Sequence, residues 1–223
     1  MRYVSLTVLF LCLVSNANAE AISMWNFNDA ISGTSGGVQE FLVDFGIGTM
    51  TSNFEEANIQ NSAGSTVNGL PGDPAGLALL LKDKDNNGNN LTWMVDTSGF
   101  SAISISFATR RTGTGFNSNR FFYTIDSGLS WTGYGSPYEP ATDFGLQSFD
   151  LGWIDALNNN PVAGFRIVFD GATSYSGNNR IDNLIVSGTP ISFIDPAPVP
   201  EPATAVLLGL GLLGVLLIRK KTS

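Results

Sequence analysis

The sequence predicts an all-β protein: a two-sheet antiparallel β-sandwich of jelly-roll type, with an N-terminal signal peptide before it and one C-terminal transmembrane helix after it. Three observations carry this expectation. Short apolar–polar alternations recur between Gly, Asn, Ser and Pro turn signals. Between the termini no stretch keeps a 3.6-residue apolar period over ten residues. Each end of the 223-residue chain carries its own apolar run.

Residues 1–19 hold one base, Arg2, an apolar stretch over 4–14, and Ala17-Asn18-Ala19 just before Glu20. That order is a secretory signal peptide with an A-x-A cleavage site, so the Sec translocon and a signal peptidase are expected partners. The single cysteine, Cys12, sits in this leader, and Leu9-Phe10-Leu11 before it lacks the small residues of a lipoprotein box. The mature chain, from about Glu20, therefore has no thiol: no disulfide, no cysteine nucleophile and no thiolate metal site.

The sandwich domain is placed at 20–189, a length that suits one sizeable core. Strands are expected at 22–27, 41–45, 77–81, 91–95, 103–107, 121–125, 130–134, 144–150, 165–169 and 181–186. Ile103-Ser104-Ile105-Ser106-Phe107 alternates as a strand with one wet face must. Hairpin-sized gaps without intervening helices indicate antiparallel pairing. A propeller is the competing architecture, but blades would show a repeat of about 40–50 residues, and none is visible.

All 19 acids lie between Glu20 and Glu201, against seven bases (Lys82, Lys84, Arg110, Arg111, Arg120, Arg166 and Arg180), a net charge of −12 for the exported part. Such a surface repels polyphosphate, so nucleic acid is not an expected partner; divalent cations and neutral or cation-bridged polysaccharide suit it better. Histidine is absent. That removes the usual general base, the Ser-His-Asp triad and histidine-ligated zinc, and no catalytic residue is assigned. The enzymatic alternative is a glycan hydrolase using paired carboxylates.

Thr124-Ile125-Asp126-Ser127-Gly128-Leu129-Ser130-Trp131 resembles an Asp box, the S/T-x-D-x-G-x-S/T-W hairpin of sialidase propellers and other secreted β-proteins. Its chemistry is structural: Asp126 accepts backbone N–H bonds, Gly128 supplies positive φ and Trp131 packs beneath. Asp83-Lys84-Asp85-Asn86-Asn87-Gly88 matches the opening of a calcium loop, with Asp83, Asp85 and Asn87 as oxygen ligands, yet Met94 stands where a bidentate Glu belongs. A solvated hairpin turn explains the same residues. Trp25-Asn26-Phe27-Asn28-Asp29 and Arg180-Ile181-Asp182-Asn183 resemble the terminal signatures of jelly-roll carbohydrate-binding modules. That resemblance implies a structural calcium shared by the first and last strands, with Asp29 and Asp182 as ligands; the alternative for Asp182 is a buried ion pair with Arg180 or a neighbouring arginine. No cofactor is required, and structural Ca²⁺ is the one these patterns admit. The ligand candidates are the aromatics Trp131, Tyr134 and Tyr138, with Tyr175 beside them, since a flat ring can stack on the apolar face of a sugar. Core packing is the alternative for each.

Residues 190–202 form a proline-spaced linker of semi-rigid, extended character that ends in Pro200-Glu201-Pro202. An uncharged apolar run over 203–218 and the basic stop Arg219-Lys220-Lys221 follow, so the tail 219–223 is cytoplasmic. Sixteen helical residues span about 24 Å, short of the roughly 30 Å hydrocarbon core, which suits a temporary anchor better than an ordinary tail anchor. Gly209-Leu210-Gly211-Leu212-Leu213-Gly214 fits G-x-G-x-x-G, but no strand precedes it and no βαβ unit follows, so a nucleotide site is rejected. The tripartite order resembles the PEP-CTERM sorting signal of Gram-negative bacteria. The resemblance implies export, a stay in the inner membrane, and processing near Pro-Glu-Pro by an exosortase. It also implies an exopolysaccharide-producing host and a mature protein of the cell envelope or extracellular matrix, structural or polysaccharide-binding.

Overall fold

The computed structural model describes residues 18–29 and 39–191, and these build two antiparallel sheets packed face to face. Residues 1–17 of the expected signal peptide, the expected linker from 192, Pro200, Glu201, Pro202, the apolar run and Arg219, Lys220 and Lys221 lie outside the described residues. Sheet 1 holds β1 (Glu20–Trp25), β3 (Phe45–Gly46), β5 (Ile59–Ala63), β6 (Leu77–Lys82), β8 (Phe100–Arg111), β11 (Gly145–Asp150) and β13 (Asn178–Pro190). Sheet 2 holds β2 (Gln39–Phe41), β4 (Gly48–Ser52), β7 (Asn90–Val95), β9 (Asn119–Thr124), β10 (Thr132–Tyr138) and β12 (Ala163–Val168). The helical content among the described residues is three single 3₁₀ turns, at Glu56–Asn58, Lys84–Asn86 and Asp155–Leu157. None of the described helices is long and apolar enough to cross a membrane.

The all-β sandwich is the architecture the sequence predicts, and the propeller is excluded. Two strands escaped the pattern because they are too polar to show one: β4 is Gly-Thr-Met-Thr-Ser and β5 is Ile-Gln-Asn-Ser-Ala. The segment expected as one strand over 41–45 is instead split between sheets. β2 pairs with β4 in sheet 2 and β3 pairs with β1 in sheet 1. Asp44 fixes the crossing, its N–H donating to Met24 O at 2.9 Å and its Oδ2 accepting from Asn26 N at 2.7 Å.

Period-two alternation sends Leu91, Trp93 and Val95 of β7, Phe121 of β9, and Phe165 and Ile167 of β12 into the core between the sheets. There the Phe121 ring stacks on Phe149 of β11 at 4.0 Å between centroids, joining sheet 2 to sheet 1, while Trp93 packs against Phe121 and Phe165. Each such side chain contributes about 1.5–3 kcal/mol by leaving water.

The central strand of sheet 1, β13, changes partners partway along one edge. Residues 178–181 pair with β6, whereas residues 184–188 pair with β1, and β8 runs along the opposite edge. Asp182 and Asn183 stand where neither neighbour reaches. Asn183 adopts φ +49, and the register with β8 shifts between Asp182 and Ile185. The connection between β5 and β6 plugs the gap. Ser65 N donates to Asp182 Oδ2 at 2.6 Å, Asn183 Nδ2 donates to Ser65 O and Val67 O, and Asn68 Nδ2 donates to Asn183 O. Beside it Asn28 Oδ1 accepts from Leu77 N at 2.7 Å, so close over Gly76, at φ +44, that no side chain fits there.

Candidate functional site

The outward face of sheet 2 is where aromatic and cationic side chains meet. On β9 the residues flanking buried Phe121 point to solvent, which puts Arg120 and Phe122 on the outer surface. Across the ladder Arg166 of β12 stands opposite both Phe122 and Thr92 of β7, and Gly133 of β10 stands opposite Phe122. Arg166 Nε donates to Thr92 Oγ1 at 2.9 Å, and the guanidinium lies 3.9 Å from the centre of the Trp131 ring. Burial lowers the Arg166 pKa, but an arginine remains charged at any physiological pH.

The turn between β9 and β10 sets Trp131 in place. Asp126 Oδ1 accepts from Thr124 Oγ1 at 2.6 Å and from Ser130 N at 3.0 Å, and Oδ2 accepts from Ser130 Oγ at 2.6 Å. Those donors, Ser130 first, hold the Asp126 carboxyl down at about 2. Gly128, at φ +84, lets the chain fold back over the indole edge.

Beyond Tyr134 the strand β10 leaves its ladder. Pairing with β9 resumes at Tyr138, and Gly135 takes φ +66 in the gap. The splay opens a groove of about 260 Å³ lined by Arg120, Phe121, Phe122, Gly133, Tyr134, Gly135 and Pro137. Tyr134 is its fixed wall: the hydroxyl donates to Asp150 O, and the ring meets Phe121 and Phe149 edge-on. Trp153 stacks on Tyr134 at 6.0 Å and an interplanar angle of 27°, with its side chain 71% exposed. Buried Leu151 and Ile154 anchor the loop on either side of it.

The expected ligand aromatics thus separate. Trp131 lies on the sheet face, Tyr134 walls the groove, and Tyr138 turns inward against Phe107 and Phe149, where burial raises its hydroxyl pKa. Tyr175 is exposed at the far loops, with the Lys84 ammonium 4.2 Å from its ring centre. Arg120, Phe122, Arg166 and Trp153 escaped sequence reasoning. The strand parity of 120, 122 and 166 against buried 121, 165 and 167 was a usable signal.

In the 83–87 turn the polar groups serve the loop itself and its tie to the backbone at Ala172. Asp83 Oδ1 accepts from Asp85 N, Asp85 pairs with Lys84 at 3.0 Å, and Asn87 exchanges two 2.9 Å bonds with the backbone of Ala172. Asp29 is exposed, whereas Asp182 is 1% exposed with both oxygens on backbone N–H groups, Ser65 and Asn183. Asp182 has no arginine partner: the ion pairs among the described residues are Lys84–Asp85 and Arg111–Glu139. No group of three or more His, Cys, Asp or Glu among the described residues is arranged to hold a metal ion.

Outside the sandwich, residues 198–221 match the PEP-CTERM protein-sorting motif. The chain carries an exosortase sorting signal. It marks an exported protein and takes in Pro200, Glu201, Pro202 and the basic stop. No curated protein matches the chain. Among solved structures, the sandwich is similar to the CBM22-1 xylan-binding domain of Paenibacillus barcinonensis Xyn10C, at 9% identity over 80% of this chain and 100% of that one, TM-score 0.47. It is also similar to TmCBM61, solved in complex with beta-1,4-galactotriose, at 6% identity over 62% and 86% of the two chains, TM-score 0.39. A family 29 carbohydrate-binding module shares 14% identity over 82% and 99%, TM-score 0.40. These likenesses are of fold.

Proposed function

We propose that this protein is an exported, exosortase-processed polysaccharide-binding module of the cell envelope or extracellular matrix, held in the inner membrane of a Gram-negative host until its tail is cut. The sugar sits on sheet 2 along β9, β10 and β12. The observation that carries this reading is Trp153, whose indole is left open to solvent while stacked on a hydrogen-bonded tyrosine that walls the groove. Rigid aromatic surface that loses little entropy on contact is what a sugar-stacking site needs. A second ring, Trp131, is held by its turn and by Arg166, and Thr92 supplies a hydroxyl between them and the centre of the sheet.

Titration calorimetry of the protein with the host's exopolysaccharide tests the proposal. Saturable heat without new reducing ends is expected, and Trp153→Ala should weaken binding about tenfold, the loss of roughly 1.4 kcal/mol of stacking. Released reducing ends would favour a hydrolase instead. Unchanged affinity in Trp153→Ala would remove the groove from the site.

A further inference from the structure

We infer that the sheet 2 face is built for an acidic polysaccharide, one whose sugars carry carboxylates. The inference rests on the sugar-binding reading and adds the ligand's charge. In an exported part of net charge −12, the six strands of sheet 2 contain a single acid, Glu40, and two bases, Arg120 and Arg166. Glu40 is on the edge strand β2, three strands from Arg166 in the order β12-β7-β4-β2, about 14 Å at normal strand spacing. The two arginines are diagonal neighbours across the β9–β12 ladder, about 7–8 Å apart at their backbones, with Phe122 beside both.

Neither arginine is in an ion pair among the described residues, and Lys82, Arg110 and Arg180 of sheet 1 share that condition, while Lys84 and Arg111 have carboxylate partners; sheet 2 differs in that one distant acid accompanies its bases. Arg166 commits one N–H, at Nε, to Thr92, and its ring contact with Trp131 holds the guanidinium plane without using the remaining donors. The loop acids that follow β9 and β12 are hydrogen-bonded locally: Asp126 by Thr124 and Ser130, and Asp170 Oδ1 by Gly171 N. Two unneutralised guanidinium groups beside aromatic rings, that of Arg166 oriented by Thr92 and Trp131, match a sugar ring with a carboxylate, which accepts the arginine fork in two parallel bonds. Sulfate esters would also meet the charge. The guanidinium fork donates two parallel bonds to either group, and the polymers below separate them.

The test uses the full-length protein in detergent and three probe polymers, polygalacturonate, alginate and hyaluronate. Each is compared with the same polymer after its carboxyl groups are reduced to hydroxymethyl. At least one native polymer should bind about tenfold or more tightly than its reduced form, and raised salt should narrow the difference. Arg120→Gln, at an exposed position with no partner to lose, should abolish most of that preference while leaving the melting temperature unchanged. Arg166→Lys should keep the charge and lose the fork, cutting affinity several-fold. Equal affinity for native and reduced polymers overturns the acidic assignment and leaves sugar binding standing. Preference for dextran sulfate over all three uronate polymers also overturns it. Failure to bind any polymer, native or reduced, removes both readings together.

Discussion

Asp182→Ala should lower the unfolding free energy by about 3 kcal/mol, a fall of about 6–12 °C in melting temperature for a domain of this size. The cause is local. The carboxylate takes the N–H groups of Ser65 and Asn183 at 2.6 and 2.9 Å, in the gap where β13 has left β6 and not yet met β1. Alanine would strand two buried donors, each costing about 1–3 kcal/mol, and would free the plug that closes the sheet. The same site predicts a pH dependence. Burial, opposed by those backbone bonds, pushes the Asp182 carboxyl up to about 7, so the fold keeps a proton that the unfolded chain gives up near 3.9. Stability from this group is complete below about pH 4 and is lost as the pH rises through about 7. Asp44 is shifted in the same direction and Asp96 and Asp126 in the opposite one, so the difference between wild type and Asp182→Asn isolates the effect. Denaturation from pH 4 to 8 in chelator should show wild type losing its advantage over Asp182→Asn. A calcium ion at Asp182, as the signature around it implies, would keep the carboxylate ionised, and excess calcium would then abolish that slope.

Phe121→Ala should cost about 3–5 kcal/mol and take sugar binding with it. Phe121 touches Trp93, Phe165, Phe149 and Tyr134, so it is both the stack between the sheets and the support behind Tyr134, the wall of the groove. Phe169→Ala is the control. That ring is 1% exposed but packs against Phe54 and Phe116, away from the groove. Both variants should unfold at lower denaturant, yet at a temperature where both are folded only Phe121→Ala should fail to bind. Equal binding by the two would separate the core from the site.

The sandwich was legible where one face of a strand is dry. Ile103-Ser104-Ile105-Ser106-Phe107 and Phe165-Arg166-Ile167-Val168-Phe169 name their buried sides outright, and both lie in strands, the second ending at Val168, with the apolar odd-numbered residues in the core. β4 and β5 were not legible, since each has one large apolar residue and is held by ladder bonds that any backbone can make. The break at Asp44 and the partner change at Asp182 depend on contacts between residues 18 and 117 positions apart, which local pattern cannot carry. The site divides in the same way. Trp131 stood out because its turn has a local residue pattern, whereas Trp153 matters through a ring 19 positions away, Tyr134. Arg166 reads as an ordinary strand residue until β9 is laid beside it.

Export and processing underlie every functional statement above, and intact-mass measurement of the protein recovered from the cell surface tests them most directly. The expected species starts near Glu20 and ends near Pro200-Glu201-Pro202, without Arg219, Lys220 and Lys221. A full 23.7 kDa chain of 223 residues, found soluble in the cytosol, would contradict the account.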